Sequence, residues 1–397
     1  SGAGAYAQVG TTGMDISSFT DTTVGDGTSY DYLVNAYNVA GNSNDGVPVT
    51  VTTPLPAPGS LAAAPINATT IRLTWSDLSA NETSFRVERR TGGGSFTTIA
   101  AALPANTTSY NDSTGLTVST PYDYQVTAVN STIASNASNT ATSQLEPLPA
   151  AATELNATAT SPTAIQLTWK DNSSGKASFR ISRRTGSSGS FSTLTTVGVG
   201  VTSHVNSGLT EGTQYFYRVT AFNVSGDATS STEDNATTRS NAPANMAATI
   251  VNSTSVRLNW SDTSSTETGF SLRRGIGSGS FAEIAQLPAN TTTYLDSGLT
   301  PDIEYSYRVF AINGGGLSAS SEVALVTPPS IPLAASGLAA TANSTSKITL
   351  MWSDNSTNES GFRIQRAAAA TGPWSTVRTT NAGVTTWEDN TVNENTT

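Results

Sequence analysis

The sequence predicts an all-β chain built as a tandem array of seven-stranded, two-sheet sandwiches. Three observations predict it. A tryptophan pattern recurs as IRLTWSD at 71–77, IQLTWKD at 165–171, VRLNWSD at 256–262 and ITLMWSD at 348–354, which spaces Trp75, Trp169, Trp260 and Trp352 by 94, 91 and 92 residues. A second pattern, TSYDYLVNAYN, TPYDYQVTAVN, TQYFYRVTAFN and IEYSYRVFAIN, puts its first Tyr at 30, 122, 215 and 305, spaced by 92, 93 and 90. Within both patterns apolar and polar residues alternate with period two, the mark of a half-buried strand. A unit of ~90 residues is large enough to hold its own core, unlike the 20–50-residue units of solenoids.

Each element of the unit follows from residue type and spacing. In the tryptophan strand, Ile71, Leu73 and Trp75 share one face, and Arg72 and Thr74 the other. A polar loop leads to an aromatic strand: FRVERR from Phe85, FRISRR from Phe179, FSLRR from Phe270 and FRIQR from Phe362. Gly-rich tips, TGGGS at 91–95, TGSSGS at 185–190 and GIGSGS at 275–280, turn that strand into the next as a hairpin. In the late strand Tyr122, Tyr124, Val126 and Ala128 face one way, and Asp123, Gln125 and Thr127 the other. No stretch of ten residues carries a helical apolar period. About seven short strands in ~90 residues with regular turns read as a sandwich.

These motifs resemble fibronectin type III domains, the immunoglobulin-like sandwich family. The late motif runs Leu116, Thr120, Tyr122, Tyr124, Val126, Ala128, Asn130, and returns from Leu209 to Asn223 and from Leu299 to Asn313, with Ile303 in place of the Thr. The W-S-D pattern followed by N-E-x-x-F-x-[VIL]-x-R resembles the prokaryotic, extracellular versions. The resemblance implies that Trp75, Trp169, Trp260 and Trp352 are core residues. It also implies that Tyr30, Tyr122, Tyr215 and Tyr305 are tyrosine corners, their hydroxyls bonding backbone across the turn before the late strand.

The repeat frame divides the chain into a partial domain at 1–54 (later strands only), whole domains at 55–147, 148–240 and 241–332, and a partial domain at 333–397 (early strands only). Pro-rich joints at 52–60, 145–151, 240–246 and 327–334 separate them and predict a semi-rigid rod. Two readings of the outer segments compete. The chain is a window on a longer array, or one chain's C-terminal segment is completed by the N-terminal segment of the next. Both segments hold counterparts of the strand after the hairpin (Tyr6 and Trp374) and of the following aromatic strand (Phe19 and Trp387), which favours the window.

Composition removes whole classes of function. With no Cys and one His among 397 residues, thiolate zinc sites, iron–sulfur clusters, Cys nucleophiles and multi-His centres are excluded. A net charge of −10 with only three Lys (Lys170, Lys176, Lys347) argues against a nucleic-acid partner. No apolar run approaches the length of a membrane span, and SGAGAYAQVG has no signal-peptide pattern. His204 occupies the slot of Phe19, Tyr110, Tyr294 and Trp387, so it reads as a packing residue. Asp77, Asp171, Asp262 and Asp354 repeat after each Trp and read as turn starters. Glu82, Glu267 and Glu359 are expected to pair with Arg89, Arg274 and Arg366. The Gly277-Ser278-Gly279 tip precedes no helix and holds no phosphate. There is no Arg-Gly-Asp tripeptide. The reading is therefore non-catalytic, with no cofactor and no metal.

Ser and Thr total 118 of 397 residues and Asn 29, so chance would give about nine N-x-[ST] sequons (29 × 118/397). There are 17: Asn67, Asn81, Asn106, Asn111, Asn130, Asn136, Asn156, Asn172, Asn223, Asn235, Asn252, Asn259, Asn290, Asn343, Asn355, Asn358 and Asn395. The excess predicts an N-glycosylated extracellular or cell-surface protein. The expected function is a structural rod or filament whose partners are other copies of the chain or neighbouring repeats of one long chain. The alternatives are the stalk of an adhesin and spacer modules of a secreted polysaccharide-degrading enzyme.

Overall fold

The computed structural model describes residues 6–131, 133–277, 279–322 and 326–392; Ser278 and the sequon Asn395 lie outside them. The described residues contain strands, turns and bends and no helix.

Three stretches form paired sheets. In the middle one, Thr153–Ser161, Ala164–Lys170 and Ser203–Ser207 make a three-stranded antiparallel sheet. The facing sheet runs Ser192–Val197, Ser178–Thr185, Gln214–Asn223, and both Gly226–Asp227 and Asp234–Thr237 pair with Gln214–Asn223. The stretches on either side repeat this order: Gly59–Asn67, Thr70–Ser76 and Ser109–Asp112 before it, and Ala244–Asn252, Ser255–Ser261 and Thr293–Ser297 after it. Register is conserved among the three units. Phe85 lies opposite Ala128, Phe179 opposite Ala221 and Phe270 opposite Ala311. Period-two patterning fixes that register, because a one-residue slip would turn every apolar side chain to water.

The cores sit between the sheets. Trp75, Trp169 and Trp260 are each 5% exposed, and their rings meet Phe85, Phe179 and Phe270 at centroid distances of 5.8, 5.7 and 5.9 Å. Tyr122, Tyr215 and Tyr305 are buried and Tyr30 is half-buried. Each hydroxyl accepts a backbone N–H five residues earlier: Gly25 (2.8 Å), Thr117 (2.8 Å), Thr210 (3.2 Å) and Thr300 (3.0 Å). The turn so fixed carries a left-handed residue in every copy, Gly27, Ser119, Gly212 and Asp302, at φ 58, 61, 59 and 62°.

A polar group crosses the core beside each tyrosine. Arg89 donates to Asp112 (2.7 Å), and the buried Tyr124 hydroxyl donates to the same carboxylate (3.0 Å). Arg274, Asp296 and Tyr307 repeat the arrangement at 2.9 and 2.8 Å. Asn206 replaces the aspartate in the middle unit and donates to the Tyr217 hydroxyl at 2.9 Å.

These contacts correct the expected Glu–Arg pairs. Arg89, Arg274 and Arg366 bond Asp112, Asp296 and Asp389, not Glu82, Glu267 and Glu359. Each glutamate instead accepts a backbone N–H across a turn: Asn106 (3.0 Å), Asn290 (3.3 Å) and Gly383 (3.1 Å). The reason is distance in space: the arginine extends inward under the sheet, where the aspartate two residues after the aromatic slot arrives from the opposite sheet.

The outer segments carry fewer strands. At the N-terminal side Ser29–Tyr32 pairs with Val49–Thr52, and Tyr37–Asn38 with Gly41–Asn42. At the C-terminal side Ser336–Ser344, Lys347–Ser353 and Thr386–Asp389 form one sheet, and Arg363–Arg366 pairs with Ser375–Thr379. The Tyr6 and Phe19 regions, read from sequence as strands, have no strand structure. Among the described residues no neighbouring strand meets their backbone N–H and C=O groups, and an unpaired strand has nothing to hold it extended.

Candidate functional site: sequons and domain joints

The described sequons separate by what their side-chain nitrogen does. Asn67, Asn106, Asn111, Asn136, Asn156, Asn235, Asn252, Asn259 and Asn290 are exposed, and their Nδ2 atoms donate no hydrogen bond among the described residues. Asn67 and Asn252 use only the oxygen, which accepts the N–H of Thr69 and Thr254 (2.9 Å each) in the hairpin after the first strand. Asn106 and Asn290 are left-handed turn residues, both at φ 62°. Asn111, Asn156 and Asn259 stand on strands with their side chains in solvent, because their strand neighbours Asp112, Leu155 and Trp260 take the inward positions.

The remaining described sequons have working amides. Asn81 donates to the Asp26 carbonyl (2.9 Å), Asn130 to the Gly27 carbonyl (3.0 Å) and Asn223 to the Pro147 carbonyl (2.8 Å). Asn172, Asn355 and Asn358 donate to the carbonyls of Ala151, Ala334 and Ser330 (2.8, 2.8 and 2.9 Å), and Asn343 donates to the Thr349 hydroxyl.

Several of these bonds cross from one repeat to the next, and they define the joints. The asparagine at the end of each late strand reaches back to the preceding linker or turn: Asn130 to Gly27, Asn223 to Pro147, Asn313 to Thr238 (3.0 Å). A carboxylate in the tyrosine-corner turn faces forward. Asp26 accepts from Ser79 Oγ (2.8 Å) and Ala80 N (2.9 Å). Glu211 accepts from Ser264 Oγ (3.1 Å), Thr266 Oγ1 (3.2 Å) and Asn241 N (3.2 Å). Asp302 accepts from Ser330 N (3.0 Å). The packing is close: a Cβ on Gly212 would lie 2.3 Å from Thr266 Cβ. Sequence reading missed this role. Its signal was present, since the late motif ends in Asn each time, but nothing local says what that Asn reaches.

The other candidate residues have structural surroundings. Asp77, Asp171, Asp262 and Asp354 each accept the N–H two residues on, at 3.1, 2.7, 3.1 and 3.0 Å. Burial, and then the adjacent Glu82 or Glu267 charge, raises the Asp77 and Asp262 carboxyls above the usual range. His204 lies opposite Leu167, as Tyr110 lies opposite Leu73 and Tyr294 opposite Leu258, and burial lowers its pKa.

Replacing Glu211 with Ala removes a charged acceptor from several donors and is expected to loosen the joint by ~1–2 kcal/mol. Limited proteolysis at 240–246 should then speed up by roughly tenfold, at one decade per 1.4 kcal/mol. An unchanged cleavage rate would show that the clasp does not restrain the linker.

The family comparison agrees with this architecture. The fibronectin type III family model matches residues 56–144, 150–236 and 241–327. Exoglucanase B of Cellulomonas fimi is 32% identical over 307 residues, covering 72% of this chain and 26% of that protein. Neogenin of Rattus norvegicus is 27% identical over 316 residues, covering 72% of this chain and 23% of neogenin. The chain thus spans about a quarter of the length of these relatives. Among solved structures, the FN1-FN3 domains of chicken CNTN1 align with 17% identity and a TM-score of 0.30, covering 69% of this chain and 99% of that one. With three tandem matches over most of its length, the chain belongs to the fibronectin type III family.

Proposed function

We propose that the chain is a non-catalytic structural rod of an extracellular or cell-surface protein, N-glycosylated on its exposed sequons and self-associating into a fibre. In this reading residues 1–54 and 333–397 are portions of further domains of the same kind. The observation that carries the proposal is the repeated joint. Asn130, Asn223 and Asn313 each tie their repeat to the backbone ahead of it. A joint rebuilt at each boundary transmits force and sets spacing, which is what a rod does. The sequons with free nitrogens give the surface hydration that a chain with only 12% charged residues otherwise lacks.

Intact-mass and glycopeptide analysis of the native protein tests the coat. Sugars are expected on the nine sequons with free Nδ2 and not on the half-buried Asn130 and Asn223, whose nitrogens hold the joints. Unmodified asparagine at all nine sites would overturn the glycoprotein reading.

A second reading, spacer modules within a larger secreted enzyme, is favoured by the 32% identity to a stretch of Exoglucanase B. A catalytic domain in the same polypeptide would decide for it.

A further inference from the structure

Two acidic side chains meet beside the joint that leads into the third whole domain. Asp262 and Glu267 stand on one loop, and their carboxyl groups are in hydrogen-bond contact. Glu267 is 8% exposed. One of its oxygens accepts the Asn290 N–H (3.3 Å), and the other, Oε2, is buried with no hydrogen-bond partner among the described residues. Asp262 accepts the Ser264 N–H (3.1 Å). Two adjacent carboxylates repel, and a buried acceptor without a donor is costly; one proton between the two groups removes both costs. Burial, and then the facing Glu267, raise the Asp262 carboxyl above its usual range. The other charged group that faces it is Glu211, on the corner turn of the preceding domain, and it too is acidic. The turn at Asn290 brings an N–H and no charge.

Ser264 links this pair to the neighbouring domain. Its N–H goes to Asp262 and its hydroxyl to Glu211 (3.1 Å). Thr266, on the same loop, also gives its hydroxyl to Glu211 (3.2 Å). The first whole domain repeats the set. Ser79 gives its N–H to Asp77 (3.1 Å) and its hydroxyl to Asp26 across the joint (2.8 Å). Glu82 is 7% exposed, touches the Asp77 carboxyl and likewise has a buried, unpartnered Oε2.

The middle domain departs at each point. An exposed Lys176 stands in place of the glutamate, and Val118 in place of the carboxylate on the preceding turn. Ser173 turns its hydroxyl back onto its own Asp171 (2.6 Å). Among the three whole domains, the buried glutamate, the carboxylate across the joint and the outward serine hydroxyl occur together in two and are all missing from the third.

Resting on the reading of the joints as the stiff points of a rod, we propose that the Asp262–Glu267 pair is a proton-operated latch on the joint ahead of the third whole domain. With one proton between the two carboxyls, residues 262–267 present Ser264 and Thr266 to Glu211. When water takes that proton, three negative charges meet at the joint. The loop shifts under their repulsion, and Glu211 loses its donors. The closed joint binds one proton more than the open one, so rising pH favours opening, by up to about tenfold per pH unit. Because the carboxyl is raised in the closed state, its contribution is complete below pH ~4 and is lost as pH rises through the raised value. Asp77 and Glu82 latch onto Asp26 in the same way. The joint ahead of the middle domain has no latch.

The test uses the 397-residue chain, which has no cysteine of its own. Thr168 and Asn259 each precede the core tryptophan of their domain and are exposed. Thr168→Cys, Asn259→Cys therefore carries one dye on either side of the joint. Single-molecule energy transfer should show the open population growing about tenfold or more between pH 5 and pH 7.5, a range in which ordinary carboxylates are mostly ionised. Thr74→Cys, Thr168→Cys spans the joint without a latch and should not respond. Glu267→Gln puts an amide N–H where the proton sits and should hold the joint closed at both pH values. If that variant unfolds the domain, Asp262→Asn removes the same ionisation from the other side. An equal pH response at both joints, a response that survives these substitutions, or opening by a chelator at constant pH would overturn the latch. A wild-type joint that ignores pH while Glu211→Ala opens it would overturn the latch and leave the rod reading standing. If neither opens the joint, both fall.

Discussion

Trp260→Ala is expected to unfold the third whole domain and spare its neighbours. Truncating a buried Trp costs ~3–5 kcal/mol. A domain of this size has a total stability of only about 5–10 kcal/mol. The effect is local because Trp260 belongs to the cluster of Val256, Leu258, Phe270, Leu272 and Tyr307, which holds no residue of the other two cores. Calorimetry should therefore show one of the domain transitions lowered by roughly 12–40 °C or lost, at ~4–8 °C per kcal/mol, with the others in place. Trp260→Phe is the informative control. The indole Nε1 is buried with no hydrogen-bond partner among the described residues in all four copies, so removing that N–H offsets part of the lost volume. Phe should cost less than half as much as Ala. A uniform shift of every transition would mean that the domains unfold as one body.

Asp112→Ala is expected to be almost as severe for the first whole domain. It leaves the buried Tyr124 hydroxyl without its acceptor and the Arg89 guanidinium with only the Thr114 carbonyl (2.7 Å) in place of a carboxylate. Breaking a buried charged pair from one side costs ~3–5 kcal/mol, because the remaining charge stays desolvated. Asp112→Asn should cost far less, since Asn206 holds the same position in the middle domain and bonds Tyr217. The set also fixes an alkaline limit. Burial and then the nearby Asp112 charge raise the Tyr124 phenol far above its ordinary value, and burial and Asp296 do so for Tyr307. A folded-state pKa above the unfolded ~10 means that the contribution is complete below pH ~10 and fades as pH rises beyond it. Denaturation midpoints of the first and third domains should fall above pH ~10, and Tyr124→Phe should flatten that fall in the first. A pH-independent midpoint through pH 11 would contradict the assignment.

Much of this was legible from side-chain periodicity. Ile71, Leu73 and Trp75 alternate with Arg72 and Thr74, so the inward face of that strand could be read without coordinates. The slot of His204 was legible because the four other repeats put an aromatic there, Phe19, Tyr110, Tyr294 and Trp387. Glu82 was misread. Sequence proximity suggested Arg89, seven residues on, whereas the arginine's partner is Asp112, 23 residues away on the facing sheet. The joints were illegible for the same reason: Asn130 finds its acceptor 103 residues back.

The sequence by itself determined the fold, the ~92-residue period, the core aromatics and the tyrosine corners. Those follow from residue alternation and turn chemistry within a few residues of each position. Only the tertiary structure decided which carboxylate meets which arginine, and which asparagines hold a joint and which donate no side-chain hydrogen bond among the described residues. A side chain's partner is set by whichever strand or domain lies across from it, and local pattern carries no record of that neighbour.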